Sequence, residues 1–122
     1  MNDIKVSVLC LAYNHEKFIR ECLESILEQK TDFSFEVIIH DDHSTDNTAT
    51  IIREYAKYYP DKIVPIYQNM NLYSKGVAIA EEQMLSRARG KYVAFCECDD
   101  KWVDDRKLQK QYEYMERHAD CS

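Results

Sequence analysis

Residues 92–102 read YVAFCECDDKW, and this stretch decides how the chain is expected to fold. The apolar run at 93–96 predicts a buried strand, because such runs are typical of strands covered on both faces. Three carboxylates, Glu97, Asp99 and Asp100, follow directly. Carboxylates this close repel each other unless a cation or hydrogen-bond donors neutralise them, and hard divalent ions prefer oxygen ligands. Two interpretations stay open from this stretch alone: a metal site, or a solvated acidic loop that precedes the next helix.

The rest of the chain alternates between strand and helix patterns. Apolar, β-branched segments predict strands at residues 4–11, 35–40, 63–67 and 92–96. Apolar residues spaced about 3.6 apart predict helices at residues 16–29, 47–59, 76–87 and 104–118. Asn14 is a candidate N-cap of the first helix, and Pro65 places the third strand at an edge of the sheet. This alternation predicts an α/β fold with a parallel sheet flanked by helices.

Three of the predicted strands end at segments that are candidates for ligand binding, at residues 11–14, 41–44 and 97–100. Ligands of parallel sheets bind outside the carboxyl ends of the strands, and these ends lie at one edge. We therefore expect the three segments to converge, which favours a ligand site over a solvated loop for the acidic cluster. Asp42 also has a structural alternative, since acids before a helix stabilise its first turn whatever the function.

Composition and charge limit the classes of protein to which this chain can belong. The chain has 122 residues, of which 45% are hydrophobic and 31% are charged, as expected for a single globular domain. A formal net charge of -6 without a dominant basic patch argues against nucleic acid as the main partner. No apolar run reaches the roughly 20 residues of a membrane span, and the N-terminus does not resemble a signal peptide.

The chain contains five cysteines, an odd number that favours a reducing, cytoplasmic location. Cys10, Cys22 and Cys96 lie within apolar periodic runs, where cysteine behaves as a small hydrophobic residue. Cys96 and Cys98 are spaced C-x-C without a second pair nearby, which argues against a zinc site.

Three segments carry motifs that match a known family. Residues 6–14 read VSVLCLAYN, residues 36–48 read EVIIHDDHSTDNT, and residues 88–100 read ARGKYVAFCECDD. In this order and spacing they resemble the motifs V-S-[IV]-x-x-x-x-Y-N, E-[IV]-[IL]-[IV]-x-D-D-x-S-x-D-x-T and A-x-G-x-Y-[IV]-x-x-x-[DE]-x-D-D of the family 2 glycosyltransferases. Each motif alone is weak, but together they cover nearly the whole chain.

The resemblance implies a Rossmann-like GT-A fold and an inverting glycosyltransferase. Such an enzyme transfers a sugar from a nucleotide-diphosphate donor, with a UDP-sugar favoured, to an acceptor hydroxyl. The acceptor is expected to be a carbohydrate, a lipid-linked molecule or a protein, with cell-surface polysaccharide as the family-level product. A Mn2+ or Mg2+ ion held by carboxylates can neutralise the charge that develops on the leaving diphosphate.

The resemblance also implies roles for individual residues. The metal is assigned to Asp99 and Asp100, which share contact with the donor ribose. Asp42 matches the acid that contacts the nucleobase, commonly uracil. Glu97 occupies the [DE] position of the motif A-x-G-x-Y-[IV]-x-x-x-[DE]-x-D-D and is a further donor-binding residue. The remaining donor-binding positions are Leu11, Ala12, Tyr13 and Lys75.

Three positions depart from the family pattern. Glu97 stands where Asp is commoner, and its extra methylene puts its metal contact in doubt. The usual N-x-G loop is poorly kept after Asn71, which weakens the assignment of Lys75. His43 stands where a small residue is usual, and we expect it to adopt a positive φ, which histidine tolerates better than β-branched residues do.

The general base of the family follows a further strand, beyond Ser122. Residues 1–122 are therefore expected to form one donor-binding domain, the truncated N-terminal part of a longer enzyme at the cytoplasmic membrane face. A nucleotidyltransferase is an alternative, but it would need a glycine-rich basic loop where this chain has residues 12–15, AYNH. A non-catalytic α/β nucleotide-binding or interaction module of receiver type would need an aspartate at residues 66–68, IYQ.

Overall fold

The computed structural model describes residues 4–67, 77–97 and 104–117, and its elements alternate as the sequence predicts. The strands are β1 (Ile4–Ala12), β2 (Ser34–Asp41), β3 (Ile63–Tyr67) and β4 (Tyr92–Glu97). The helices are α1 (Ile19–Leu27), α2 (Thr48–Tyr58), α3 (Val77–Arg87) and α4 (Lys107–Arg117). Each predicted element exists; the ends of β3 are as predicted, and the ends of the others lie within three residues of the predicted ones.

The four strands that the described residues form are all parallel, in the order β3-β2-β1-β4. The prediction that Pro65 places its strand at an edge is confirmed, because β3 pairs with β2 alone among the described strands. Proline cannot donate to a second neighbour, so an edge position costs it nothing. The carboxyl ends of all four strands consequently lie at one edge of the sheet.

Successive side chains of the strands alternate between two apolar layers, as the pleat of a strand requires. The larger layer packs Val8, Val37 and their neighbours against α1 and α2, with Leu108 of α4. The smaller layer packs Leu9 and Ile38 against Met84 of α3. The sheet is therefore sandwiched between helices, as predicted.

The expectation that β4 is covered on both faces is wrong. Cys96 is buried in the larger layer, whereas the side chain of Phe95 is 59% exposed. Helix α3 packs mainly against β1 and β2, so the described residues cover Val93 only in part and leave Phe95, on the same face of β4, exposed. An apolar run shows that a strand could be covered on both faces, but it does not show which neighbours are present.

Asn14 is not the N-cap of α1. The helix begins at Ile19, and Phe18 occupies the cap position without a side-chain hydrogen bond. Asn14 instead adopts a φ of 54°, and its Oδ1 accepts a hydrogen bond of 2.8 Å from the backbone N–H of Thr45. Asparagine is one of the few residues that tolerate this conformation. Its side chain therefore joins two loops and does not cap a helix.

The amino end of the sheet is held by the fully buried carboxylate of Glu36. It accepts hydrogen bonds from the Ser7 hydroxyl at 2.6 Å and from the Arg89 backbone N–H at 2.7 Å. The Arg89 guanidinium forms an ion pair with it at 2.9 Å. A Cβ on Gly90 would lie 2.6 Å from the backbone N of Ser7, so only glycine fits there. Parts of all three sequence motifs thus serve the fold, since Ser7, Glu36 and Gly90 meet at this end.

Candidate functional site

The carboxyl edge of the sheet brings together three of the predicted donor-binding residues, Leu11, Ala12 and Asp42. Ala12 is paired with Asp41 across β1 and β2, and the backbone N–H of Asp42 donates to the carbonyl of Ala12 at 2.9 Å. Leu11 lies opposite Glu97, the last residue of β4. The end of β1 is therefore flanked by the ends of β2 and β4, as the parallel order predicts.

The loops that follow β1 and β2 are tied to each other by reciprocal hydrogen bonds. The backbone N–H of Asn14 donates to Ser44 Oγ at 3.0 Å, while Asn14 Oδ1 accepts from Thr45. A second pair of hydrogen bonds joins the loops further along the chain. The backbone N–H of Glu16 donates to Asp46 Oδ2 at 3.2 Å, and the backbone N–H of Asn47 donates to Glu16 Oε1 at 3.0 Å. His43 has a φ of 58°, which confirms the expectation for this position. The two loops therefore form one connected wall of the edge.

Two buried carboxylates lie where β2 ends: Asp41 is 3% exposed and Asp42 is 1% exposed. Asp41 Oδ1 accepts from the Ser44 hydroxyl at 2.5 Å, and its Oδ2 accepts from the Ser44 backbone N–H at 3.4 Å. A buried carboxylate is costly unless donors of this kind compensate it. Sequence analysis missed this role of Ser44, although its position three residues after an aspartate is a recognisable turn signal.

His40 lies directly before these acids and is fully buried on the α3 side of the sheet. Neither ring nitrogen has a hydrogen bond of good geometry within the described part of the chain. Burial lowers the pKa of His40, although Asp42, Gln83 and Asp41 act in the opposite direction. The imidazole is consequently neutral near pH 7, so it adds no positive charge beneath the carboxylates. The sequence offered no signal for this residue.

Two tyrosines extend from the same edge. Tyr13, a predicted donor-binding residue, is 39% exposed, and its ring is therefore accessible to a planar ligand. Tyr67 ends β3 opposite Asp41, and the guanidinium of Arg53 lies 4.9 Å from the centre of its ring. Sequence analysis did not single out Tyr67, because an aromatic residue at the end of an edge strand carries no distinctive pattern.

The remaining predicted positions are outside what the structure describes. Lys75, Asp99 and Asp100 fall in the gaps between the described ranges, and Glu97 is described by its backbone alone. The assignment of the metal to Asp99 and Asp100 therefore stays a prediction. The backbone of Glu97 opposite Leu11 does bring the start of the acidic segment to the loop after β1.

A comparison with protein families identifies the family to which this sheet and its edge belong. The profile described as "Glycosyl transferase family 2" matches residues 7–122. The chain belongs to this family. The predicted family is thereby confirmed, and the parallel sheet flanked by helices is the core of its GT-A fold.

Three similar proteins illustrate the family. The Escherichia coli protein named UDP-Glc:alpha-D-GlcNAc-diphosphoundecaprenol beta-1,3-glucosyltransferase WfaP is 40% identical over 91% of this chain and 41% of its own. Staphylococcus aureus TarS 1–349, solved in complex with UDP, has a TM-score of 0.78 and 30% identity over 95% of this chain and 33% of its own. The mannosyltransferase PcManGT from Pyrobaculum calidifontis, solved with GDP-Man and Mn2+, has a TM-score of 0.80 and 26% identity over 94% of this chain and 35% of its own.

The chain spans about a third to two fifths of the length of the curated relatives that it matches. Within the described ranges, none of the helices combines the length and apolar character that crossing a membrane requires.

Proposed function

We propose that residues 1–122 form the donor-binding domain of an inverting, metal-dependent glycosyltransferase, which transfers a sugar from a UDP-sugar to an acceptor hydroxyl. The observation that carries the proposal is the buried Asp42 beside Ala12, at the carboxyl edge of a family 2 sheet. The UDP bound by TarS and the UDP-Glc in the name of WfaP support a uridine donor.

In this proposal Asp42 recognises the nucleobase. A carboxylate only accepts hydrogen bonds, and the ring N–H of uracil is a donor of matching character. The backbone of Leu11 and Ala12 borders the same space, and the accessible ring of Tyr13 stacks on the nucleotide. Because the two loops are tied together by Asn14 and Ser44, these groups are held in position before the donor binds.

The diphosphate is assigned to the acidic segment after β4. Asp99 and Asp100 would hold a Mn2+ or Mg2+ ion, with Glu97 and Lys75 close to the donor. Oxygen ligands suit both ions, and the Mn2+ in the PcManGT structure supports a divalent ion in this family. When bound, such an ion neutralises the charge that the leaving diphosphate develops.

Transfer with inversion also needs a base to take the proton of the acceptor hydroxyl, while the sugar–diphosphate bond breaks on the opposite face. We place that base outside residues 1–122, on a part of the enzyme that also binds the acceptor. A lipid-linked acceptor is favoured by the diphosphoundecaprenol in the name of WfaP, and a carbohydrate or protein acceptor is the alternative. The cytoplasmic membrane face is the proposed location.

Calorimetric titration of the chain with UDP, with and without Mn2+, tests the proposal. Asp42→Ala should weaken UDP binding by about 10- to 100-fold, the equivalent of a hydrogen bond to a charged group. Asp99→Ala combined with Asp100→Ala should remove the increase in UDP affinity that Mn2+ produces in the unaltered chain. Asp61→Ala, which removes an exposed acid between α2 and β3, is the matched control and should bind as the unaltered chain does.

Equal binding of UDP by the unaltered chain and the Asp42→Ala variant would contradict the role of Asp42. Binding of ADP as tightly as UDP would contradict a uridine donor. A chain that binds UDP equally well with and without Mn2+ would contradict the metal assignment.

A further inference from the structure

Three cysteines from three separate elements meet beneath the carboxyl edge. Cys10 lies on β1, Cys22 on α1 and Cys96 on β4, and their Sγ atoms all lie within 4.8 Å of one another. The Sγ atoms of Cys22 and Cys96 are 3.7 Å apart. All three side chains are buried, with exposures of 0%, 0% and 6%. We call this group the thiol cluster.

The spacing of the thiol cluster matches what a thiolate-bound metal needs. Zinc–sulfur bonds are about 2.3 Å long, so three sulfurs around one ion in a plane lie ~4.0 Å apart. Separations of 3.7 Å to at most 4.8 Å reach that value with small side-chain rotations. A disulfide would instead require the sulfurs to approach to about 2.05 Å, a much larger change.

The surroundings of the thiol cluster select the kind of ion. Sulfur ligands favour soft, thiophilic metals, whereas Mg2+ and Mn2+ prefer oxygen. The positive charge of Lys107 on α4 acts on Cys96 in the direction that favours its thiolate form, although contact with Cys22 and burial outweigh it before an ion binds. Three thiolates, one divalent ion and the Lys107 ammonium carry no net charge together, which a buried site in an apolar layer requires.

We propose that Cys10, Cys22 and Cys96 bind one thiophilic divalent ion of the Zn2+ and Cd2+ type, at a site separate from the donor-binding edge. As each sulfur–metal bond forms, the thiol releases its proton to solvent, so three protons leave and no oxidant takes part. Contact with Cys10 lowers the pKa of Cys96, but contact with Cys22 and burial outweigh it and raise that pKa to about 12. The Cys96 thiol is therefore protonated before the ion enters.

The position of the thiol cluster gives such an ion a structural effect. Cys10 lies two residues before Ala12, and Cys96 directly precedes Glu97. The two cysteines are paired across β1 and β4. An ion bound between them and Cys22 would hold both strand ends to α1, directly under the edge where we place the donor.

Titration of the reduced chain with Cd2+, in excess Mg2+ to occupy oxygen sites, tests this proposal. The reference is the variant with Cys98→Ser and Cys121→Ser, which keeps the thiol cluster as its only thiols. We expect one equivalent of Cd2+ to produce the near-ultraviolet charge-transfer absorption of cadmium–thiolate bonds. Adding Cys22→Ala should weaken binding at least about 100-fold, since even indirect changes to metal sites cost 10- to 100-fold.

Circular dichroism of each variant separates loss of binding from loss of folding. If Cys22→Ala does not fold, Cys10→Ala removes a different sulfur of the thiol cluster without adding volume to the apolar layer and should give the same loss of binding. Stoichiometric absorption that persists in a folded variant of either kind would overturn the proposal. So would a folded, fully reduced reference protein that does not give that absorption with Cd2+.

Discussion

The two ends of β2 carry buried carboxylates that are held in different ways. Glu36, at the amino end, has an ion pair with Arg89 and hydrogen bonds from Ser7 and the Arg89 backbone. Asp41, at the carboxyl end, accepts from the hydroxyl and backbone N–H of Ser44, and the ion pairs among the described residues do not include it.

This difference separates a carboxylate that serves the fold from the edge where we propose that the donor binds. At the amino end the negative charge is compensated within the protein, so nothing is left for a ligand to supply. At the carboxyl end Asp41 is positioned by neutral donors from a loop, the hydroxyl and backbone N–H of Ser44. A ligand or metal that approaches this edge therefore meets acceptors whose orientation is already set.

Removing the cation at the amino end should have the largest effect. Arg89→Ala removes the guanidinium from the buried Glu36 carboxylate; because that guanidinium is 61% exposed, we expect a loss of about 2–3 kcal/mol in the free energy of unfolding. Urea denaturation measures the loss. Arg87→Ala, at an exposed position on α3, is the matched control and should change stability little. A loss below about 1 kcal/mol for Arg89→Ala would show that the two ends do not differ as described.

Gly90→Ala tests the same end through the backbone. The new Cβ would meet the backbone of Val6 and Ser7 at 2.7 Å and 2.6 Å, atoms that cannot move without disturbing β1. We expect a destabilisation of about 1–3 kcal/mol, typical of overpacking, measured as a lower thermal midpoint. An unchanged midpoint would mean that the close approach at the amino end is not required.

A pair of serine variants sharpens the comparison. Ser44→Ala removes a hydrogen bond from Asp41 and one from Asn14, and it should cost about 1–2 kcal/mol of stability while weakening UDP binding. Ser7→Ala removes the matching hydroxyl at the amino end and should cost a similar amount without affecting UDP binding. Calorimetry and urea denaturation of both variants would reveal the contrast. If Ser7→Ala weakened UDP binding as much as Ser44→Ala does, the two ends of the sheet would not differ in function as proposed.

The smallest expected effect is a pH dependence from His40. Burial lowers its pKa in the folded state below the ordinary value of 6.5, so the unfolded chain binds the proton more readily. The stability due to the neutral imidazole is complete above about pH 6.5 and is lost as the pH falls towards the lower, folded value.

His40→Leu should flatten that part of the stability profile, measured by urea denaturation at several pH values. His43→Asn is the control, because it removes an exposed imidazole and asparagine also tolerates a positive φ. A profile for His40→Leu with the same slope as the unaltered chain would assign the pH dependence to other groups.

Much of this architecture was predictable from local pattern. The four strands, the four helices, the edge position of β3 and the positive φ of His43 all follow from features within a few residues of each position. The convergence of Ala12 and Asp42 followed from parallel order alone. The open face at Phe95 did not, because covering a strand depends on which elements pack against it.

By itself, the sequence determined the kind and order of the elements and the family, because periodicity, turn residues and motif spacing act locally along the chain. Only the tertiary structure decided which distant side chains meet, as in the Glu36 and Arg89 pair, the Asn14 and Ser44 tie, and the thiol cluster. These contacts depend on strand order, register and helix placement. Local patterns leave those three properties open, since one set of strands and helices is compatible with several arrangements.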